Sequence, residues 1–516
     1  MNTAPPINDP HPHGVVIVGA GFAGIGMAIQ LLQAGLDDFV VLEQASEIGG
    51  TWRDNTYPGC ACDIPAALYS FSFAPAGDWS RRYPSQAEIQ RYLLDCVDRF
   101  GVRLHLHLGT ALAEATYDAP AGLWHLRTQA GDTLTARVLV LAPGTLHHPA
   151  LPAIPGLERF GGPAFHSARW DHAVGFAGKR VAVIGTGASA IQIVPELAKQ
   201  AAALTLFQRT PAWVLPKHDP IAGPARKALL RAAPWLRRVE RSWVYWSHEV
   251  KAVGFVVAPR LMRAVERRAR SHAKGQVKDT ALRERLTPDY QIGCKRVLLS
   301  NDFLPALDQP HVDLVTTPIA RVEPDGIVTD DGVSHPADIL VFATGFQATQ
   351  PLGSLRVTGS GGGSLADAWQ GGMQAWMGMA VPGFPNLFLL GGPNTGLGHN
   401  SIVFMLEAQI EHVLRTLRRM RQNGTETVEI RGDIAQRFNA WLDARMRRTV
   451  WLSGCRSWYL DSTGRNTTLW PGFSLGFWFR NKFARGNVWR EQGFVTQQDA
   501  AMPPPSRPAG SSRPQP

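Results

Sequence analysis

Cysteine is scarce in this chain, with five in 516 residues at positions 60, 62, 96, 294 and 455. So sparse and odd a set argues against a disulfide framework. Cys60 and Cys62, separated by Ala61 alone, lack the C-x-x-C or C-x4-C spacing of a redox pair and read as buried thiols. Long hydrophobic runs are missing too. No stretch of about 20 apolar residues occurs, which predicts no membrane span. The opening "MNTAPPINDPHPHG" has no charged start followed by an apolar core, so it reads as no secretory signal, and the cytoplasm is the expected location. Metal-ligand spacing is lacking: His105 and His107 alternate on a strand-like run, and His147–His148 have no cysteine or carboxylate beside them, so no metal is expected. Neither a zinc-finger spacing nor a basic–aromatic RNA-binding motif is present, and no nucleic-acid partner is expected.

What is present describes an ordinary globular protein, 45% hydrophobic and 18% charged. Its net charge of +10 favours anionic ligands, phosphorylated cofactors included. At about 150 residues per domain the length suggests two to four domains. Two segments resemble each other: "VVIVGAGFAGIGMAIQLLQAG" from Val15 and "VAVIGTGASAIQIVPELAKQ" from Val181. Each is a β-branched run, a glycine turn and a helical period, the opening of a βαβ unit. "SQAEIQRYLLDCVDRF" from Ser85 predicts a capped amphipathic helix. "LWHLRTQAGDTLTARVLVLAPG" from Leu123 predicts a small meander turning at Ala130–Gly131.

In the first unit Gly19, Gly21 and Gly24 form G-x-G-x-x-G directly after a strand. The first permits a tight turn, the second lets a pyrophosphate approach the backbone, and the third lets helix pack on strand. Phosphate then sits at the helix N-terminus. Glu43, ending "FVVLE" about 20 residues on, is placed to bind ribose hydroxyls. The second unit has Gly185, Gly187 and Ala190, and its next strand, "LTLFQRT", ends in Arg209 and Thr210 instead of an acid. A guanidinium binds a 2′-phosphate that a carboxylate would repel. One dinucleotide with free ribose hydroxyls and one with a 2′-phosphate are most economically FAD and NADPH, with hydride passing from nicotinamide to flavin.

The predicted fold is α/β, with two Rossmann-like dinucleotide-binding domains and a helical insertion. The FAD domain is read as residues 14–147 and 336–495, the NADP domain as 148–221 and 291–335, joined by the Pro-rich "HHPALPAIPG". Residues 1–13 and 496–516 read as disordered. Residues 222–290 read as a basic helical insertion, either solvated or in peripheral contact with a surface or membrane. Oligomeric state is not legible.

The linker "FGGPAFHSARWD" carries Phe160, Gly162, His166, Trp170 and Asp171 as F-x-G-x-x-x-H-x-x-x-W-D. This resembles the fingerprint of the type I Baeyer–Villiger monooxygenases, a family of class B flavoprotein monooxygenases. Related N/S-oxygenating enzymes carry Tyr at the position of Trp170. "GGTWRDNTYPGCACD", with Gly50, Trp52, Tyr57, Pro58, Gly59 and Asp63, looks like a second segment of that family. "GCKR" ending at Arg296, "FATGF" from Phe342 and "SWY" from Ser457 are similar to others, so the resemblance runs from about residue 14 to 490. It implies that O2 and a small apolar ketone are converted to an ester or lactone through a C4a-peroxyflavin kept anionic by Arg296. Asp63 would orient that arginine, Lys295 would reach the 2′-phosphate, and Trp458 would donate to bound NADP. The linker would couple the two nucleotide domains, with His166 exchanging hydrogen-bond partners and Trp170 anchoring by packing. The alternatives are an N- or S-oxygenating flavin monooxygenase, a flavin disulfide reductase and a nucleotide-sensing binding module.

Overall fold

The computed structural model describes residues 11–484 and 486–493. The predicted disordered tail, 496–516, lies outside the described residues, as do residues 1–10. His13, placed in the disordered N-terminus by the sequence reading, begins the first strand and is buried.

The β-branched run after it forms the strand His13–Val18, followed by the helix Phe22–Gln33 and the strand Phe39–Leu42. These strands pair in parallel, and His13–Val18 also pairs in parallel with Thr133–Leu141. Beyond it the antiparallel meander Leu112–Asp118, Leu123–Thr128 and Thr133–Leu141 extends the same sheet. The predicted turn at Ala130–Gly131 lies between the last two. The predicted capped helix is Gln86–Arg99: Ser85 accepts from the Glu88 N–H and Glu88 reaches back to Ser85, a reciprocal cap.

The second unit builds a five-stranded parallel sheet in the order Val312–Val315, Ala203–Phe207, Arg180–Ile184, Ile339–Phe342, Ala164–His166. Here the boundary read at residue 336 is corrected. Ile339–Phe342 is fully buried inside this second sheet, and the chain rejoins the first sheet only at Arg356–Thr358 and Leu387–Leu389. A continuous apolar run, "ILVF", fits the centre of either parallel sheet, so its composition does not say which.

Two cysteines, Cys294 and Cys455, are disulfide-bonded. The sparse count gave no sign of this bond, because a pairing across 161 residues depends on where the chain folds back. Cys60, Cys62 and Cys96 are free. The basic segment 222–290 forms helices Pro224–Ala232, Trp235–Glu249, Met262–Gln276 and Thr280–Arg285. It is not wholly solvated: Val244, Tyr245, Phe255 and Met262 are buried.

Candidate active site

The two glycine turns share one geometry. Gly19 and Gly185 have φ of +103° and +111°, conformations that admit little but glycine. A Cβ on Gly24 would lie 1.8 Å from the Gly19 carbonyl oxygen, so helix and strand touch there as the motif requires. Gly21 caps the Phe22–Gln33 helix without any side-chain bond, and a Cβ on it would meet only the Gly50 Cα, at 4.0 Å. Two glycine backbones thus floor the positive end of a helix whose first N–H groups no side chain caps. That fits the pyrophosphate of FAD. Glu43 sits one residue past its strand and is buried. Its Oε2 accepts the Ala20 N–H at 2.8 Å, and its Oε1 accepts from the Ala45 N–H and the Arg53 guanidinium, both at 3.0 Å. Trp52 is buried and donates its indole N–H to the Tyr69 hydroxyl at 3.2 Å.

The second turn is more open. A Cβ on Gly187 would meet nothing within 4 Å. Ala190 begins the helix Ala190–Ala198 and is fully buried against it. The Thr210 carbonyl accepts the Thr186 hydroxyl at 2.7 Å and closes the turn. Arg209 is exposed. Lys295 packs over the Tyr290 ring at 4.7 Å, and its ammonium is pulled below the usual lysine range by burial and then by the charge of Arg209. Two cations held near each other suit an anion between them, as the 2′-phosphate of NADP would be.

Arg296 and Asp63 meet as predicted. The guanidinium Nε and Nη2 both close on Asp63 Oδ2, at 2.7 and 2.5 Å. The carboxylate holds Arg296 still further into its charged range, and Tyr459 adds to this. Burial pushes the Tyr459 phenol up to about 12, against the opposing pull of Arg296. Trp458 is exposed and packs on Tyr459 with ring centroids 4.6 Å apart. Gly293, just before Arg296 in the chain, lies against Met262 and Phe255 of the insertion and Val450.

The linker residues are built onto the second sheet, which Ala164–His166 joins as an edge strand. Gly162 leaves no room for a side chain, since a Cβ would lie 2.1 Å from the Asp338 carbonyl oxygen. Phe160 packs at the edge of the apolar cluster around Ile184 and Phe342. His166 is buried, which pulls its ring below the ordinary histidine range, and its Nδ1 accepts the Ala168 N–H at 3.1 Å. Trp170 anchors by packing, edge-on to Phe165 at 5.2 Å and stacked on Phe176 at 5.5 Å. Asp171 is exposed and accepts the Ala173 N–H at 2.9 Å, which fixes the turn after it.

Sequence reasoning missed the residues that join the domains. Gln192, on the helix after the second turn, exchanges two 3.1 Å bonds with the Ala61 backbone and accepts the Tyr57 hydroxyl at 3.3 Å. His172 bonds Thr56 at 2.8 Å, and Arg169 faces Asp54 at 3.7 Å. The one signal for Gln192 was an amide inside the otherwise apolar "AIQIVP". Between linker and first sheet lies a cleft of about 570 Å³, lined by Arg53, Asp54, His147, His148, Arg169 and Trp170 among others. In the aromatic segment "LWPGFSLGFWF" from Leu469, Trp470 and Phe477 are core, while Phe473 and Phe479 line a separate cleft.

A family model described as pyridine nucleotide-disulphide oxidoreductase matches residues 16–224, which span both glycine turns and the linker between them. The fold is similar to that of an oxidised steroid monooxygenase bound to NADP, with a TM-score of 0.84 at 30% identity over 94% of this chain and 100% of that one. It is equally similar to a structure titled OTEMO complex with FAD and NADP, with a TM-score of 0.85 at 28% identity over 93% and 99% of the two chains. In sequence the chain is 46% identical over 470 residues to a Baeyer–Villiger monooxygenase of Streptomyces coelicolor, covering 90% of each. Likeness of that depth along nearly the whole of both chains, with the fingerprint residues in place, makes this chain a member of the Baeyer–Villiger monooxygenase family.

Proposed function

We propose that this protein inserts one oxygen atom of O2 beside the carbonyl of a small apolar ketone, giving an ester or lactone, with FAD and NADPH as cofactors. Ketone, O2, NADPH and a proton give ester, water and NADP. Bound FAD, reduced by NADPH, supplies the electrons that activate O2. The observation that carries the reading is the Arg296–Asp63 pair, which joins a cation from the second nucleotide unit to a carboxylate from the first.

The chemistry asked of the protein is to keep the attacking oxygen negative. An anionic oxygen adds to a carbonyl carbon; a protonated one reacts with amines and sulfides instead. Arg296 holds its charge at every working pH, so it gives the oxygen an electrostatic partner and no proton. A charge pair about 4 Å apart at effective ε near 20 is worth about 4 kcal/mol, which corresponds to roughly 3 pKa units. The same cation stabilises the oxyanion that forms on the carbonyl oxygen. Asp63 fixes the guanidinium through two donors on one oxygen and acts as a positioning residue. Lys295 and Arg209 would hold the 2′-phosphate, and Trp458 would donate its indole N–H to NADP. The linker from Phe160 to Asp171 couples the domains. The cytoplasm is the proposed location.

The test is Arg296→Ala. We expect NADPH still to reduce the flavin while ester yield falls by roughly a thousandfold, the size expected when an oxyanion partner is lost. A cyclic ketone and a sulfide are offered side by side. Sulfoxide without ester from the wild-type enzyme would move the protein to the N/S-oxygenating group, and an undiminished ester yield from the variant would remove Arg296 from the mechanism.

A further inference from the structure

The helix Trp235–Glu249 is held to the protein on one side only. Its inner face is pinned by polar bonds that exclude another orientation. Glu249 is buried and accepts from Ser474 at 2.6 Å, the Leu475 N–H at 2.9 Å and Asn400 at 2.9 Å. Arg241 donates to the carbonyls of Ala67 and Ser70, at 3.0 and 2.7 Å. Tyr245 completes this face, bonding Ser474 at 3.2 Å.

The opposite face is apolar and exposed. Trp235, Val239, Trp243, Trp246 and Val250 recur at spacings of four, four, three and four, which is a single helical stripe. Each is between 51% and 66% exposed. Phe479 and Phe483, stacked at 5.7 Å and likewise exposed, belong to the neighbouring helix end. Between them opens an apolar cleft of about 370 Å³, lined by Trp246, Val250, Val253, Phe473 and Phe479 with others. Scattered surface apolar residues need no explanation, but a contiguous patch with three tryptophans does.

The insertion that carries the patch is net positive. Residues 222–290 hold sixteen Lys and Arg against six Asp and Glu, a net of +10. That equals the charge of the whole chain, so the remainder is neutral in sum. Arg231, Arg238, Arg260, Arg263, Arg267 and Arg268 are exposed, and none is ion-paired among the described residues.

We propose that this face docks the enzyme on an anionic lipid bilayer, with the tryptophan stripe and Phe479 entering the interfacial region and the arginines meeting the headgroups. Indole rings favour that region, arginine stems lie along apolar surface while their heads stay with phosphate, and a cationic rim adds attraction to anionic lipid. A second copy of the chain fits less well. A two-fold interface sets each patch against itself, and here it would bring two +10 surfaces together. The attachment is peripheral, since no helix among the described residues is long and apolar enough to cross a membrane.

The holoenzyme should co-sediment with vesicles of phosphatidylcholine and phosphatidylglycerol in equal parts, and much less with phosphatidylcholine alone. Raising salt should release it, as screening of headgroup attraction requires. The double variant Trp235→Glu/Trp243→Glu should bind roughly tenfold more weakly or worse, and Arg231→Ala/Arg238→Ala about tenfold more weakly. Both pairs lie outside the proposed active site, so flavin content and oxygenation of a water-soluble ketone should be retained. Holoenzyme left in the supernatant with anionic vesicles at low salt would overturn the proposal. So would undiminished binding by the tryptophan variant, or a concentration-dependent dimer that Trp243→Glu abolishes.

Discussion

The two nucleotide turns begin from nearly the same sequence and end as different sites. In the first, the acidic residue is held by the protein: Glu43 is buried and bonded to Ala20, Ala45 and Arg53. In the second, Arg209 is exposed and Lys295 is destabilised by burial and by its neighbour. A buried and rigidly held carboxylate beside an uncapped helix end suits a cofactor that stays bound. A site whose cations repel until an anion arrives suits one that comes and goes. Repetition of a motif therefore fixes the backbone, while the residues just beyond it decide how the ligand is held.

The sharpest way to break this comparison is to add one methyl group to each turn. Gly24→Ala forces its Cβ to within 1.8 Å of the Gly19 carbonyl oxygen, and neither atom belongs to a flexible side chain. We expect that variant to purify colourless or not at all. Gly187→Ala meets nothing within 4 Å and has a backbone without positive φ. It should fold, keep its yellow flavin and lose NADPH affinity, because the methyl group fills the space left for the pyrophosphate. Flavin absorbance and stopped-flow reduction separate the two outcomes. Flavin loss from Gly187→Ala, or a fully flavin-loaded Gly24→Ala, would overturn the assignment of FAD to the first turn and NADP to the second.

A smaller effect is expected one strand further on. Arg209→Ala should raise the KM for NADPH roughly ten- to hundredfold, the worth of a charge-assisted bond to phosphate. The KM for NADH should barely change, so the preference between the two narrows. Flavin content should be unaffected. A variant that still favours NADPH as strongly as the wild type would transfer the 2′-phosphate to other residues.

The glycine turns, the meander and the helix cap were legible because each is specified within about ten residues. So was the meeting of Asp63 with Arg296, although only by resemblance, since 233 positions separate them. What stayed hidden depends on how distant parts pack. "ILVF" at 339–342 suits any buried parallel strand, and only its neighbours place it in the second sheet. The Cys294–Cys455 bond has no local signature. The basic insertion was readable as helical, but its two faces were not, because exposure of Trp243 beside buried Val244 is a fact of docking.

Gln192 tests how far the two units act as one body, and its effect should be smaller again. Its amide is shared with both the N–H and the carbonyl of Ala61, which belongs to the other unit. Gln192→Ala leaves those groups without their partner, a cost of about 1–3 kcal/mol to the interface. Flavin loading and NADPH affinity should hold. The expected change is a few-fold rise in NADPH consumed without ester formed, read by comparing product with NADPH oxidised. Unchanged coupling would leave the connection to Trp170, the Thr56–His172 and Arg169–Asp54 contacts and the Arg296–Asp63 pair.

The smallest effect is expected where a rival mechanism requires the largest. The disulphide-oxidoreductase description of the matching family model raises the question of whether a thiol carries electrons between the two cofactors. Cys60 and Cys62 lie on the segment that docks the first unit against the second, so they are the residues to ask. Burial pushes the Cys60 thiol up to about 12 and raises Cys62 as well. Both are then neutral at pH 7, and a neutral thiol is neither a nucleophile nor a ready electron carrier. Replacing both by serine should leave ester formation within about twofold, with at most a modest loss of stability from a hydroxyl at the buried Cys62 site. A relay through these two thiols would lose all activity in the same variant. Survival of activity would rule out an electron relay through Cys60 and Cys62.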